Sequence, residues 1–278
     1  MKNVPILLKK YVLVVMAAAY IALGYAFYQL PDEKFHLYFL NVDQGDGILI
    51  KTPQSHYILV DGGPMNFVLQ ELGEVLPFFE REIDFMVLTH PHSDHIEGLI
   101  EVLKRYKVNN VLLTGVNVFD NEYKEFLKEI RVQNIRIFIA ESKTDFVFGE
   151  VKMDIIYPFK EIIGQNFANI NDSSVGMRIS YKDKNIVLLG DLEAVVEKEL
   201  VKTDLSYNVD IYKASHHGSK TSSSLEFLKR LRPKTVVIQV GENNKFKHPS
   251  PETLNSFKEL GITKILRTDM DGRIEFAF

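Results

Sequence analysis

The sequence predicts an α/β domain in which helix and sheet layers stack, preceded by an N-terminal helix long enough to cross a membrane. Three observations carry this. The run from Tyr11 to Leu30 holds no charged residue. After it, apolar stretches of strand length alternate with amphipathic stretches of helix length, which implies layers rather than an all-β barrel. Beyond residue 34 no long linker and no internal repeat divides the chain, so residues 35–278 read as one domain.

The N-terminal segment, residues 1–30, comes first. About 20 residues at about 1.5 Å rise span roughly 30 Å, the hydrocarbon thickness of a bilayer. Lys9 and Lys10 precede the uncharged run, and Asp32 and Glu33 follow it. The positive-inside rule then puts Met1 in the cytoplasm and the rest of the chain outside. Two other readings stand beside this anchor. One is a cleaved signal peptide, with Ala17-Ala18-Ala19 or Gly24-Tyr25-Ala26 as its small residues; the other is a buried core helix. Cleavable apolar cores are usually shorter, which favours the anchor. Anchor and signal alike export the domain.

After Pro31 and the linker Asp32-Glu33-Lys34, the runs Phe35–Val42, Gly47–Lys51 and Tyr57–Val60 are separated by turn chemistry and predict an antiparallel meander. Phe67–Phe79 has helical spacing. Phe85–Leu88, Asn110–Leu113 and Ile135–Ile139 predict buried strands, with helices Ile96–Tyr106 and Asn121–Ile130 between them. Phe146–Pro158 predicts a hairpin, followed by strands Met177–Lys182 and Ile186–Leu189. The helices Glu193–Val201 and Ser224–Leu231 alternate with strands Asp210–Ala214 and Val236–Val240. Ser250 and Pro251 open a helix to Leu260 as N-cap and first residue. Ile262–Leu266 and Arg273–Phe278 close the chain as strands.

Composition narrows the chemistry. At 46% hydrophobic and 25% charged, the 278 residues exclude a disordered or collagen-like chain. The absence of cysteine excludes disulfides, zinc ribbons and a thiol nucleophile, leaving His and carboxylates for any metal. The net charge of −4 argues against non-specific coating of nucleic acid. It is unevenly spread: outside the first 30 residues, 30 basic residues face 37 acidic ones. From Lys213 to His248, eight basic residues face only Glu226 and Glu242.

The decisive stretch is His90-Pro91-His92-Ser93-Asp94-His95, directly after a buried strand. A strand that ends in a tight loop can aim such side chains at one point, and imidazole with carboxylate suits Zn²⁺ or Mn²⁺. This string resembles the HxHxDH signature of the metallo-β-lactamase fold superfamily. The resemblance extends to Leu59-Val60-Asp61-Gly62-Gly63, Leu188-Leu189-Gly190-Asp191 and Ser215-His216-His217-Gly218, in the expected order. Three further strings are similar to those of ComEC-type competence proteins: Asn41-Val42-Asp43-Gln44-Gly45-Asp46, His216 to Ser222, and Lys247-His248-Pro249-Ser250-Pro251. Asp43 and Lys247 stand where that branch usually carries glycine. Only the branch's extracellular hydrolase domain has room here, without its multi-helix channel.

The resemblance implies a four-layer αββα sandwich and two divalent ions, zinc or manganese. His90 and His92 are expected on the first ion, Asp94 and His95 on the second, with Asp191 bridging and a hydroxide between the ions as nucleophile. His216 is preferred as the late ligand of the second ion, with His217 beside the substrate. No His lies between His95 and His216, where other branches place a ligand, so a weak first site is expected. Asn171 and Ser173 occupy that interval and are candidates to support a ligand or to meet the substrate. Asp61 and His248 are candidates to support a ligand or reach the site, and Asp46 reads as a residue of a Gly-Asp-Gly turn. His36 and His56 read as structural.

The basic segment around His216 suits an anionic phosphodiester. Lys220, following Gly218-Ser219, is the residue expected on the phosphate. The resemblance makes DNA the expected substrate of this extracytoplasmic hydrolase. Two alternatives are kept: hydrolysis of a small phosphodiester such as a choline-phosphate or cell-wall group, and a non-catalytic tethered accessory protein of DNA uptake.

Overall fold

The computed structural model describes residues 6–28, 32–203 and 208–278; Met1, Leu30 and Pro31, used above, lie outside the described residues. The chain forms two compact units, Met1–Glu33 and Lys34–Phe278. In the first, α1 (Ile6–Tyr28) is one continuous helix. From Leu8 to Tyr25 it is long and apolar enough to cross a membrane, and none of that window is buried. An unburied helix does not fit the core-helix reading; anchor and signal remain.

The second unit begins with the meander β1 (His36–Phe39), β2 (Ile48–Lys51) and β3 (Tyr57–Val60), then α2 (Phe67–Val75) and the two-residue strand β4 (Glu82–Ile83). There follow β5 (Phe85–Val87), α3 (Ser93–Leu103), β6 (Lys107–Val108), β7 (Asn110–Leu113), α4 (Asn121–Val132), β8 (Arg136–Ile139) and the hairpin β9 (Asp145–Phe148) and β10 (Val151–Tyr157). Next come β11 (Gly176–Tyr181), β12 (Lys184–Leu188), α5 (Ala194–Val201), β13 (Ile211–Lys213), α6 (Leu225–Leu231) and β14 (Thr235–Ile238). The chain closes with α7 (Pro251–Glu259), β15 (Lys264–Arg267), α8 (Thr268–Asp271) and β16 (Ile274–Ala277).

Two seven-stranded sheets result, ordered β16-β1-β2-β3-β5-β7-β8 and β15-β14-β13-β12-β11-β10-β9. Each is antiparallel in one half and parallel in the other: β3, β5, β7 and β8 run parallel in the first sheet, β12 to β15 in the second. One apolar core, including Phe39, Val87, Met153, Met177 and Val237, fills the space between the sheets. A second lies between the first sheet and α2, α3 and α4; a third lies between the second sheet and α5, α6 and α7. This is the four-layer sandwich. Each fully buried aliphatic or aromatic side chain contributes about 1.5–3 kcal/mol relative to exposure, so the three cores set the stacking of the layers.

The differences from the sequence reading have local causes. α2 stops at Val75, not Phe79, because Leu76 turns extended ahead of Pro77. β1 is shorter because, past the rung where Leu40 donates to the Gly47 carbonyl at 2.8 Å, the chain turns on itself, with Val42 donating to the Leu40 carbonyl at 3.1 Å. α3 starts at Ser93, three residues before its first apolar position, because its opening turn is made of polar site residues. The β4–β6 pair, α8 and the 3₁₀ turns at Ile170–Ser173 and Ser215–Gly218 have no apolar periodicity to reveal them.

The seat of α3 depends on two glycines. Gly62 donates to the His95 carbonyl at 2.8 Å, and Gly98 donates to the Gly63 carbonyl at 2.9 Å. A Cβ on Gly98 would lie 1.9 Å from the Gly62 carbonyl oxygen, and one on Gly62 would lie 2.4 Å from the Leu99 nitrogen. Backbone meets backbone here, so neither neighbour can yield by rotating a side chain. Gly98→Ala should therefore lower stability by about 1–3 kcal/mol through overpacking, seen as an earlier urea midpoint at unchanged slope. An unshifted midpoint would show that α3 can move.

Candidate metal centre

The parallel strands of both sheets deliver their C-terminal ends to one edge of the sandwich. Asp61 follows β3. His90 and His92 lie in the loop after β5, and Asp94 and His95 open α3, where a carboxylate also complements the helix dipole. From the second sheet, Asp191 follows β12 and His217 follows β13. Asp46 enters from the loop between β1 and β2.

These side chains converge. His95 Nε2 is 3.4 Å from Asp191 Oδ2, and His217 Nε2 is 3.4 Å from both Asp191 Oδ2 and Asp94 Oδ2. Donor atoms of His90, His95 and Asp191 lie within 4.8 Å of one another, as do those of Asp94, His95 and His217, and of Asp46, Asp191 and His217. His92 meets His90 with Nδ1 and Nε2 3.0 Å apart, so the two rings point at the same space.

The reverse side of each buried ring is held. His95 Nδ1 is 2.8 Å from Asp61 Oδ2, and Asp61 also accepts from the Thr89 amide at 2.8 Å and its hydroxyl at 2.6 Å. His217 Nδ1 is 3.0 Å from the Gln239 carbonyl, to which it donates. Both arrangements leave Nε2 aimed into the centre. Ser174 Oγ accepts from the Asp191 amide at 3.2 Å. Lys213 lies fully buried beneath the carboxylates: it pairs with Asp46, approaches Asp191 Oδ1 at 3.6 Å and donates to the Gly190 carbonyl at 3.1 Å.

Charge follows from this geometry. Burial opposes a proton on His95 and His217, but Asp191 with Asp61 for one, and Asp191 with Asp46 for the other, overcome it and hold both rings well above the ordinary imidazole range. Burial likewise opposes charge on Asp191, and His217 and His95 overcome it and hold it well below the carboxylate range. His90 is held well below the imidazole range by burial and by His95, hence neutral.

Among the buried side-chain atoms without a hydrogen-bond partner are His95 Nε2, His217 Nε2, Asp191 Oδ1 and Asp46 Oδ1. Buried polar atoms are normally satisfied. A cluster of unsatisfied atoms with lone pairs to offer, walled by imidazole and carboxylate, fits divalent cations. The residues present therefore match the expected metal, without distinguishing zinc from manganese.

The structure brings together His90, His92, Asp94, His95, Asp191 and His217, with Asp61 behind them. His216 and His217 are placed differently from the sequence preference. His217 enters the buried donor set. His216 is 23% exposed at the mouth, 3.9 Å from Asp191 Oδ2 and 3.3 Å from Glu193 Oε1. The cause is backbone: both residues adopt left-handed conformations, φ 49° and 53°, and the turn swings His217 inward. Asn171 sits against His216 at 3.4 Å with Oδ1 buried and unpartnered. Ser173 turns away, donating to the Ile170 carbonyl at 2.7 Å. Lys220 is exposed on the loop after Ser219, and His248 stands 5.7 Å from the His216 ring.

The basic segment is also divided. Lys213 is a buried ion-pair partner rather than part of a rim. Lys229, Arg232 and Lys234 line a pocket with Leu260 and Thr263, at the end of β14 away from the centre. The segment spans a whole strand–helix–strand crossover, so it cannot all face one side. Lys220, Lys245 and Lys247 are exposed, on the loops that carry His217 and His248. Sequence reasoning read Asp46 as a turn residue and counted Lys213 in the basic segment; a lysine inside the apolar strand Ile211-Tyr212-Lys213-Ala214 was the available signal of its burial.

Fold and donor set define the class, a metal-dependent hydrolase. A family model described as the metallo-beta-lactamase superfamily matches residues 40–241, and the chain belongs to that superfamily. It is 27% identical over 256 residues to ComE operon protein 3 of Bacillus subtilis (strain 168), covering 86% of this chain and 32% of that protein. It is 26% identical over 258 residues to competence protein ComA of Neisseria gonorrhoeae, covering 89% of this chain and 33% of that one. The chain thus spans about a third of the length of these relatives. Among solved structures, the metallo-beta-lactamase fold protein YhfI from Bacillus subtilis superposes with a TM-score of 0.58 at 13% identity, covering 87% of this chain and all of that one. The resemblance to ComEC-type competence proteins therefore extends over most of the chain.

Two outcomes test the centre. His217→Ala should lose bound metal after dialysis against limiting Zn²⁺ or Mn²⁺, read by elemental analysis, while His216→Ala keeps it; equal loss would place both in the donor set. At pH 7 the metal-free site holds protons on His95 and His217, because their affinity for protons is raised. A metal ion takes only the neutral ring, so binding must expel them, and metal affinity must rise with pH. Calorimetric titration with Zn²⁺ in buffers of different ionisation enthalpy should show net proton release. A heat independent of buffer would refute this.

Proposed function

We propose that this chain is a membrane-tethered phosphodiesterase that cuts DNA outside the cytoplasm. The observation that carries the reading is the buried His/Asp donor set, with exposed Lys220, Lys245 and Lys247 close in sequence to His217 and His248, in an otherwise acidic domain. An anionic backbone drawn to those lysines arrives at the centre. The names of the relatives, which are competence proteins, agree with a polynucleotide substrate. The basic flank Lys9-Lys10 supports the outward orientation.

His90, His92, Asp94, His95, Asp191 and His217 would hold the ions, with Asp191 placed to serve both sets. Bound divalent ions would supply water activated near neutral pH and Lewis-acid polarisation of the phosphoryl oxygen. The chain's own residues do the rest. Asp61 and the Gln239 carbonyl fix the tautomers of His95 and His217. Lys220 holds the phosphodiester. His216, outside the buried set and partly exposed, would meet the departing oxygen as a hydrogen-bonding group.

The test uses the full chain in detergent micelles with Mn²⁺ or Zn²⁺, offered plasmid DNA, bis-p-nitrophenyl phosphate and nitrocefin. Both phosphodiesters should be cut and nitrocefin spared. Asp191→Ala should slow cleavage on the order of 10³-fold, the scale of losing a principal charge-stabilising group. Survival of both phosphodiesters, or undiminished cleavage by Asp191→Ala, would refute the proposal. Cleavage of the small ester with DNA spared would point to a small phosphodiester instead. Protease added to intact cells should digest the domain; full protection would reverse the orientation.

A further inference from the structure

Four aromatic rings form a file from the metal centre to the surface. His217, in the buried donor set, is 6.1 Å from His216; His216 is 5.7 Å from His248; His248 is 5.8 Å from Phe246, all between ring centroids. The inner two steps are near edge-on, at 68° and 69°, whereas His248 and Phe246 stack at 15°. The file ends in a phenylalanine that is 52% exposed.

The loop that carries Phe246 is fixed. Asn244 donates through Nδ2 to the carbonyls of Gly241 at 3.1 Å and His248 at 2.8 Å, and its Oδ1 accepts from the His248 amide at 2.9 Å. Lys247 donates its amide to the Asn244 carbonyl at 3.1 Å, and Ser250 donates to the Gly218 carbonyl at 2.9 Å. That last bond ties the loop to the turn carrying His216 and His217. Lys245 Nζ lies 5.0 Å from the Phe246 ring centroid, and Lys247 follows on the other side in sequence. The one acid of the loop, Glu242, lines a separate pocket with Asp43, Glu71 and Asp269. An exposed aromatic on a held loop, between two exposed lysines and beside a phosphodiester-cutting centre, combines the two elements of single-strand recognition. These are a π-face for a base and cations for the flanking phosphates.

We infer that Phe246, backed by His248 and flanked by Lys245 and Lys247, is a stacking platform for an unpaired nucleobase of the strand being cut. The inference rests on the polynucleotide reading above and sharpens it. Bases in a duplex are already stacked and cannot lie on Phe246, so the preferred substrate is single-stranded. The flexible Lys245 side chain yields the ring to the base while its ammonium stays with the phosphate.

The test compares a labelled oligothymidylate with an abasic strand of the same length and charge. Binding to the full chain in micelles is read by fluorescence anisotropy with chelator present, so that nothing is cut. The parent should bind the base-bearing strand roughly tenfold more tightly than the abasic one. Phe246→Ala should abolish that difference and leave abasic binding unchanged, while Phe246→Trp should preserve it. Lys247→Ala should weaken both strands alike and reduce the salt slope by about 0.7. If Phe246→Ala binds the base-bearing strand as tightly as the parent, or the parent does not distinguish the strands, the platform is overturned. Plasmid cleavage by the same preparations separates the two readings: cutting that persists leaves the nuclease standing without its platform. A parent that neither binds nor cuts any polynucleotide overturns both.

Discussion

Three carboxylates, Asp46, Asp61 and Asp191, are buried together at the edge of the sandwich, and the site depends on how their charge is balanced. Carboxylates removed from water are tolerated only when paired and hydrogen-bonded. Lys213 supplies one permanent cation, and His95 and His217 supply the rest as imidazolium. This balance explains why a lysine occupies the middle of an apolar strand and why Asp61 receives both hydrogen bonds of Thr89. It also explains why the rings present Nε2 inward. The same arrangement that keeps the metal-free protein from burying bare charge orients the donor atoms for an ion.

Much of the architecture was legible because its signals are local. The strand Tyr57–Val60 and the strand Asn110–Leu113 coincide with their apolar runs, and Ser250-Pro251 opens α7 as capping chemistry dictates. The HxHxDH string was legible for the same reason, being confined to one loop. What escaped was long-range or conformational. The Asp46–Lys213 pair joins residues 167 apart in sequence, and no spacing rule links them. The entry of His217 rather than His216 into the buried donor groups follows from two left-handed backbone conformations, which neither residue type advertises. Ser174 rather than Ser173 supports Asp191, a distinction of one position in a 3₁₀ turn that no periodicity resolves.

The two departures from the glycines usual in this branch now have a physical meaning. Asp43 and Lys247 both sit at positive φ, 64° and 57°, where glycine is free and other residues are strained. The chain accepts that strain at two loops, the one that carries Asp46 and the one that carries Phe246. At Asp43, a short polar side chain is among those that tolerate the conformation. At Lys247, the side chain adds a charge beside Phe246, so the strain falls where a charged side chain serves the proposed substrate.

The donors are divided between the two sheets: Asp61, His90, Asp94 and His95 descend from the first, Asp191 and His217 from the second. Every donor group that includes Asp191 or His217 draws on both halves of the sandwich. An ion bound here would act as a clasp across the seam, and its affinity would measure how firmly the halves are held in register. Metal supply would then govern the lifetime of the folded domain as well as its turnover. Wherever the domain meets proteases, that coupling would remove unloaded copies before loaded ones.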